Sequence, residues 1–156
     1  MSEQLDPFAT PLVFFRVGWM DRYRGIAAGD KISGGGTYVS THNFGHEAFN
    51  FDPFNEHVYG YVQPAGPTEG GRKPRIKIER LGARPNDHSI SGVLVVWVAT
   101  HPTAGGAFVV GWYRNATIYR SWQSPPPGAA RKHGDENCGY YVVAKMEDAR
   151  LLAPDE

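Results

Sequence analysis

Apolar and polar positions alternate in short runs along this chain, and no stretch keeps a helical period over several turns. The two strongest runs lie at residues 92–100, GVLVVWVAT, and 107–119, AFVVGWYRNATIY. Both are rich in β-branched and aromatic residues, and residues 101–106 between them supply Pro, Thr and two glycines, so the pattern predicts a long β-hairpin. Gly111 inside the second strand predicts a bulge or the close approach of another group, and Asn115 predicts a bend. Further strands are expected at residues 12–19 (LVFFRVGW), 56–63 (EHVYGYVQ), 75–81 (RIKIERL) and 138–145 (CGYYVVAK). In 75–81, Ile76, Ile78 and Leu81 recur at nearly every second position, which predicts a half-buried strand with its charged face outward. Residues 20–30 read as a short helical turn and a loop, residues 124–137 as a long polar loop, and residues 146–156 as a short helix that runs out into Pro and acids.

This count of strands and turns defines a mainly β chain with short helices, of α+β character. A small twisted β-barrel is the natural closure, because a barrel leaves no sheet edge. Residues 1–11 read as a loose arm, 12–150 as one domain and 151–156 as the start of a linker or tail. A domain of this size buries roughly 68–70% of its unfolded surface.

Residues 32–54, ISGGGTYVSTHNFGHEAFNFDPF, stand apart. Three consecutive glycines give a backbone able to lie against a ligand or another strand. The aromatic and hydrogen-bonding residues that follow are too many for a spacer, which points to function.

Charge sharpens the picture. The net charge is zero, yet ten of the 16 basic residues fall between Arg72 and Lys132, with only two acids, Glu79 and Asp87, among them. Local charge of this kind attracts phosphate; the same residues could also be the solvated faces of strands. A single cysteine, Cys138, excludes an internal disulfide and a cysteine-based zinc cluster, and suits a reducing cytoplasm. No apolar run reaches the roughly 18 residues of a membrane span, and MSEQLDPF lacks the parts of a signal peptide, so a soluble intracellular protein is expected.

Few catalytic signatures are present. There is no Gly-x-Ser-x-Gly elbow and no Gly-Lys-Ser/Thr after the glycines. His42, His46 and Glu47 include a His-x3-His spacing that suits one helical face, but their Gly, Asn and Phe neighbours disfavour a helix. Neither metal nor cofactor is expected, and the chain reads as a binding module and not an enzyme; an enzyme using Glu47 or His46 as base is the competing possibility.

Reading an extruded base needs an aromatic platform, polar groups for the base edge and cations for flanking phosphates. Candidate aromatics are Trp19, Tyr38, Phe44, Trp97 and Trp112, all of which could equally fill a core. Candidate edge groups are Asn43, His46, Glu47 and Asn50. Candidate phosphate contacts are Arg72, Lys73, Arg75, Lys77, Arg84, Arg114, Arg120, Arg131 and Lys132. Stacking one base on a ring contributes roughly 1–3 kcal/mol, enough to offset much of the unstacking.

The strings VGW, ISGGGTYV, FGHEAFNF, VYGYVQP, IERLGA, GVLVVWVAT and VVGWYRNATIYR together resemble N-terminal domains attached to HNH-type modification-dependent restriction endonucleases in bacteria. Those domains are similar to EVE and YTH domains of the PUA superfamily. The resemblance implies a PUA-like barrel whose pocket accepts a flipped, modified base, above all a 5-substituted cytosine (5-methyl or 5-hydroxymethyl) in DNA. It implies that residues 34–51, including Gly35 and Gly36, line that pocket with Trp19 and the strand of Trp97. The partner it implies is DNA, with continuation into an HNH nuclease domain in a bacterial cytoplasm. A YTH-like reader of modified RNA and a small-molecule or protein-binding barrel are the alternatives.

Overall fold

The computed structural model describes residues 10–26, 29–34, 45–65 and 73–153. Their strands are β1 (Leu12–Arg16), β2 (His57–Gly60), β3 (Ser89–Thr100), β4 (Ala107–Gln123), β5 (Lys132–His133), β6 (Glu136–Asn137), β7 (Tyr140–Lys145) and β8 (Ala149–Leu151). Helical structure among them is confined to three 3-10 turns, His46–Phe49, Ile78–Leu81 and Met146–Asp148. The protein is mainly β, as its residue pattern implies.

The predicted hairpin is the spine of the molecule. β3 and β4 pair antiparallel, β1 lies parallel to β3, β7 and β8 pair with β4, and β2 pairs with β7. The hairpin loop closes through the His101 N–H on the Gly106 carbonyl, with Gly105 and Gly106 both at positive φ. Three register shifts interrupt the pair, one of them between Ile90 and Val93, where Gly92 has φ 74°. Trp97 faces Gly111 while Val98 faces Val109, leaving Val110 as an extra residue, and Asn115 adopts φ 50° at the remaining register shift. The bend expected at Asn115 is therefore present. Gly111 is a point of close approach too: a Cβ there would overlap the Arg150 carbonyl of β8 and the Phe51 ring.

Alternation along β3 sends Val93, Val95, Trp97 and Ala99 into the core, each fully buried. Register then builds a core row, Phe15–Trp97–Gly111–Leu151, across four strands, and the next row, Phe14–Val96–Trp112–Arg150, faces the opposite way. Tyr23, Tyr113, Tyr141 and Ile78 complete the interior.

The sheet does not close. Its strand order is β1-β3-β4-β7-β2, so β1 and β2 are its two ends and no ladder joins them. The closed barrel expected above is thus replaced by a curled open sheet. Residues 75–81 are a second correction. They contribute no strand: Ile76 N–H bonds the Arg120 carbonyl, and the chain then turns into the 3-10 turn Ile78–Leu81, ended by Gly82 at φ 106°. Ile78 and Leu81 are three apart, a spacing that serves a helical turn as well as an approximate alternation, and a following glycine is a C-terminal cap. The expected helix after residue 146 shrinks to one 3-10 turn followed by β8, no helical turn occurs among the described residues of 20–30, and the polar loop carries the small β5–β6 hairpin.

Candidate ligand cavity on the open side of the sheet

The gap between the sheet's two ends holds a cavity. This cavity of about 450 Å³ is lined by Val13 and Phe15 of β1, by residues 62–65 running on from β2, and by Arg75, Ile76, Lys77, Arg80 and Leu81. Its volume lies in the range of small-ligand pockets, and its walls are largely apolar, as such pockets usually are. Phe15 rests on Trp97 with ring centroids 5.7 Å apart, and Trp97 meets Tyr113 edge-on at 5.2 Å, so this one aromatic of the wall stands on the buried core.

Three cations border the cavity, Arg75, Lys77 and Arg80, and no acid is among its described lining residues. The 3-10 turn explains the third cation, since it folds the chain back so that the Arg80 N–H donates to the Lys77 carbonyl at 3.2 Å. The two acids of the basic stretch are engaged elsewhere. Glu79 is paired to Arg120, whose guanidinium holds the carboxyl below the usual carboxylate range. Asp87 accepts the Arg84 backbone N–H at 2.8 Å. The positive field at the cavity therefore stays uncompensated by its own segment.

Gln63 supplies a polar edge. The Tyr61 hydroxyl donates to its Oε1 at 2.6 Å. Tyr61 is itself clamped: its N–H donates to Asn50 Oδ1 at 2.8 Å and its carbonyl accepts from Asn50 Nδ2 at 3.0 Å.

The expected base-stacking and edge residues do not form one pocket. Trp97 is 0% exposed and lies in the core, so it offers no face to a ligand. Trp19 is buried as well, its ring 4.8 Å from that of His101 and its backbone bridged to Ser33. Trp112 is half-buried on the opposite face of the sheet, under the Arg150 guanidinium. Asn50 is buried and commits its amide to Tyr61, so it cannot read a base edge. His46 is buried against Tyr61 with Nε2 3.0 Å from Glu136 Oε1; burial lowers its pKa and Glu136 opposes that shift. Glu47 accepts the Gly18 N–H at 3.1 Å, and burial pushes its carboxyl up. Gly35, Gly36, Tyr38, Asn43, Phe44 and Arg72 lie outside the described residues.

The cations also divide. Arg75 and Lys77 line the cavity. Arg131 does not face solvent: it is 2% exposed, and its guanidinium donates to the carbonyls of Phe49, Tyr59, Cys138 and Gly139. That role is structural, because one planar fork satisfies four acceptors from three separate chain segments. Arg120 is likewise occupied, by Glu79 and by the carbonyls of Arg84 and Asp87. Lys73 sits 3.3 Å above the Trp122 ring, while Arg84, Arg114 and Lys132 do not line the cavity.

Phe15, Val62, Gln63 and Arg80 were not singled out by sequence reasoning. Only Arg80 left a signal, as the residue three beyond Lys77 in a segment capped by Gly82. Among the described residues no group of three or more His, Cys, Asp or Glu side chains could hold a metal ion, and no helix is long and apolar enough to cross a membrane. Comparison of the chain with protein-family models, curated proteins and solved structures finds no match in any of the three.

Proposed function

We propose that this domain is a nucleic-acid reader whose cavity receives an extruded, modified base, in the first place a 5-substituted cytosine in DNA, as a recognition module for modification-dependent restriction. The observation that carries the reading is the cavity itself: an apolar recess of about 450 Å³ bordered by Arg75, Lys77 and Arg80 with no acid among its described lining residues. An uncharged base body suits the walls, a ring face suits Phe15, and the flanking phosphates suit the cations. The EVE-like strings in the sequence point the same way, and a PUA-like domain would present such a recess, although the sheet here is open.

The test is titration of the protein with matched duplexes carrying 5-methylcytosine, 5-hydroxymethylcytosine or plain cytosine, and with N6-methyladenosine RNA for the YTH-like alternative. Tighter binding of a modified duplex than of its plain counterpart is expected. Changing Arg75, Lys77 and Arg80 to Ala should weaken all sequences alike and flatten the log–log salt dependence by about one unit of slope for each phosphate no longer neutralised. Equal affinity for modified and plain DNA overturns the reading.

One feature favours a second reading. Phe15 is the only aromatic among the described lining residues, the rest of the apolar wall being aliphatic, and such walls also suit a small amphipathic organic anion. Saturable binding of a fluorescent aliphatic carboxylate, abolished in the same triple variant, with no preference for modified nucleic acid, would select that alternative.

A further inference from the structure

Every polar side chain among the described lining residues of the cavity can be sorted into donor or acceptor. Arg75, Lys77 and Arg80 only donate. Gln63 is the one uncharged hydrogen-bonding side chain among the described lining residues, and its amide could in principle present either end. Its neighbour decides which. The 2.6 Å separation between the Tyr61 hydroxyl and Gln63 suits O–H···O, since N–H···O contacts centre near ~2.9–3.0 Å. Oε1 is thereby turned to Tyr61 with one of its lone pairs in use, and the amide NH₂ is presented on the other side as a pair of donors.

Tyr61 is well placed to hold that choice. Asn50, 1% exposed, grips both its backbone N–H and its carbonyl. Its ring packs against His46, at 5.0 Å, and against Tyr141, at 5.7 Å. The hydroxyl is therefore a fixed point on the core, from which the more exposed Gln63 takes its orientation.

We infer that Gln63 is the specificity-determining residue of the cavity, reading a hydrogen-bond acceptor edge on the ligand, with Tyr61 as its positioning residue. The inference rests on the base-reading function proposed above and deepens it. An amide NH₂ directed at N3 matches cytosine, whose N3 accepts; O2 accepts in both bases and does not discriminate. The same amide mismatches uracil, whose N3 carries a proton that would face the amide hydrogens. The cavity thus selects a 5-substituted cytosine over the uracil carrying the same 5-substituent, even though both fill the apolar walls alike.

The experiment compares duplexes with 5-hydroxymethylcytosine or 5-hydroxymethyluracil at one position, opposite the same abasic site, using the parent protein and the variants Gln63→Glu and Tyr61→Phe. The parent should prefer the cytosine by about three- to tenfold, the worth of one neutral hydrogen bond. Gln63→Glu, which turns the free end of the side chain into an acceptor, should reverse the preference. Tyr61→Phe should bring it towards parity with an unchanged salt slope, a readout that weakened packing alone would not produce; thermal denaturation of each variant checks that the fold persists. A cytosine preference that survives Gln63→Glu in a folded protein overturns the role of Gln63 while leaving the cavity's function standing. Failure of the parent to prefer any modified duplex over plain DNA overturns the base-reading function, and this inference with it.

Discussion

Gly60 on β2 lies directly against the ring of Trp97 on β3, so that a Cβ added to Gly60 would sit 2.5 Å from Trp97 Cζ2 and 3.2 Å from the Tyr113 ring. The two strands are far apart in the strand order, and only the curl of the sheet brings them together. This packing sets how closely the ends of the sheet approach, and hence the width of the gap that forms the cavity. Gly60→Ala should destabilise the fold by about 1–3 kcal/mol, the usual penalty for overpacking a dense core. Chemical denaturation reads the effect, and an unchanged midpoint would show that β2 can move away from Trp97 freely.

Arg131 holds together residues 49, 59, 138 and 139 through four carbonyl acceptors. Arg131→Met keeps much of the stem and leaves all four carbonyls without that donor. The expected destabilisation is about 3–5 kcal/mol, because hydrogen bonds to a charged donor contribute about 1.5–3 kcal/mol each and several buried carbonyls lose theirs. The variant's nucleic-acid salt slope, measured under conditions where it remains folded, should match the parent's, because Arg131 is too buried to touch phosphate. A reduced slope with unchanged stability would contradict the structural role.

Asn55 and Glu56 both adopt positive φ, 49° and 64°, in the two-residue turn closed by Phe54 and His57. Asn adopts that conformation at lower cost than Glu, and Gly is the residue this turn favours in second place. Glu56→Gly should stabilise the protein by about 0.5 kcal/mol, the relief of strain being partly offset by the freer unfolded chain. A higher denaturation midpoint checks it; a lower one would mean that the Glu56 side chain makes a compensating interaction.

Glu47 is a carboxyl whose pKa burial raises, with only backbone N–H groups opposing the shift. The folded state therefore holds its proton to higher pH than the unfolded state does. Stability from this group is greatest at low pH, falls as pH rises from the ordinary carboxylate range to the group's own raised pKa, and is flat above it. Glu47→Gln keeps an acceptor for the Gly18 N–H and removes the charge. The variant should be more stable than the parent at pH 7 and lack that part of the pH slope; stability curves taken across mildly acidic pH give the comparison. An equal or lower stability at pH 7 would show that the carboxylate is better solvated than its burial suggests.

Local pattern was enough to define the β class and the central hairpin. Residues 92–100 and 107–119 are so rich in β-branched and aromatic side chains, with so plain a turn between them, that pattern and propensity agree on a hairpin without help from distant parts of the chain. The bend at Asn115 and the close approach at Gly111 were equally legible, because a short polar side chain and a missing Cβ are backbone properties. The 3-10 turn at Ile78–Leu81 was not, since the same apolar spacing serves a turn or a strand until the backbone of Ile76 docks on Arg120 and Gly82 ends the segment. What only the folded molecule decided is which aromatic and basic residues meet solvent. Trp97 and Arg131 carry the chemistry of a binding site in their side chains, yet strand register and four backbone carbonyls draw them inside. Phe15, Gln63, Arg75 and Arg80, from three distant stretches of chain, share a cavity because two sheet ends stop short of each other. Local sequence carries residue type and spacing; the long-range curl of the sheet, which no short window encodes, carries the site.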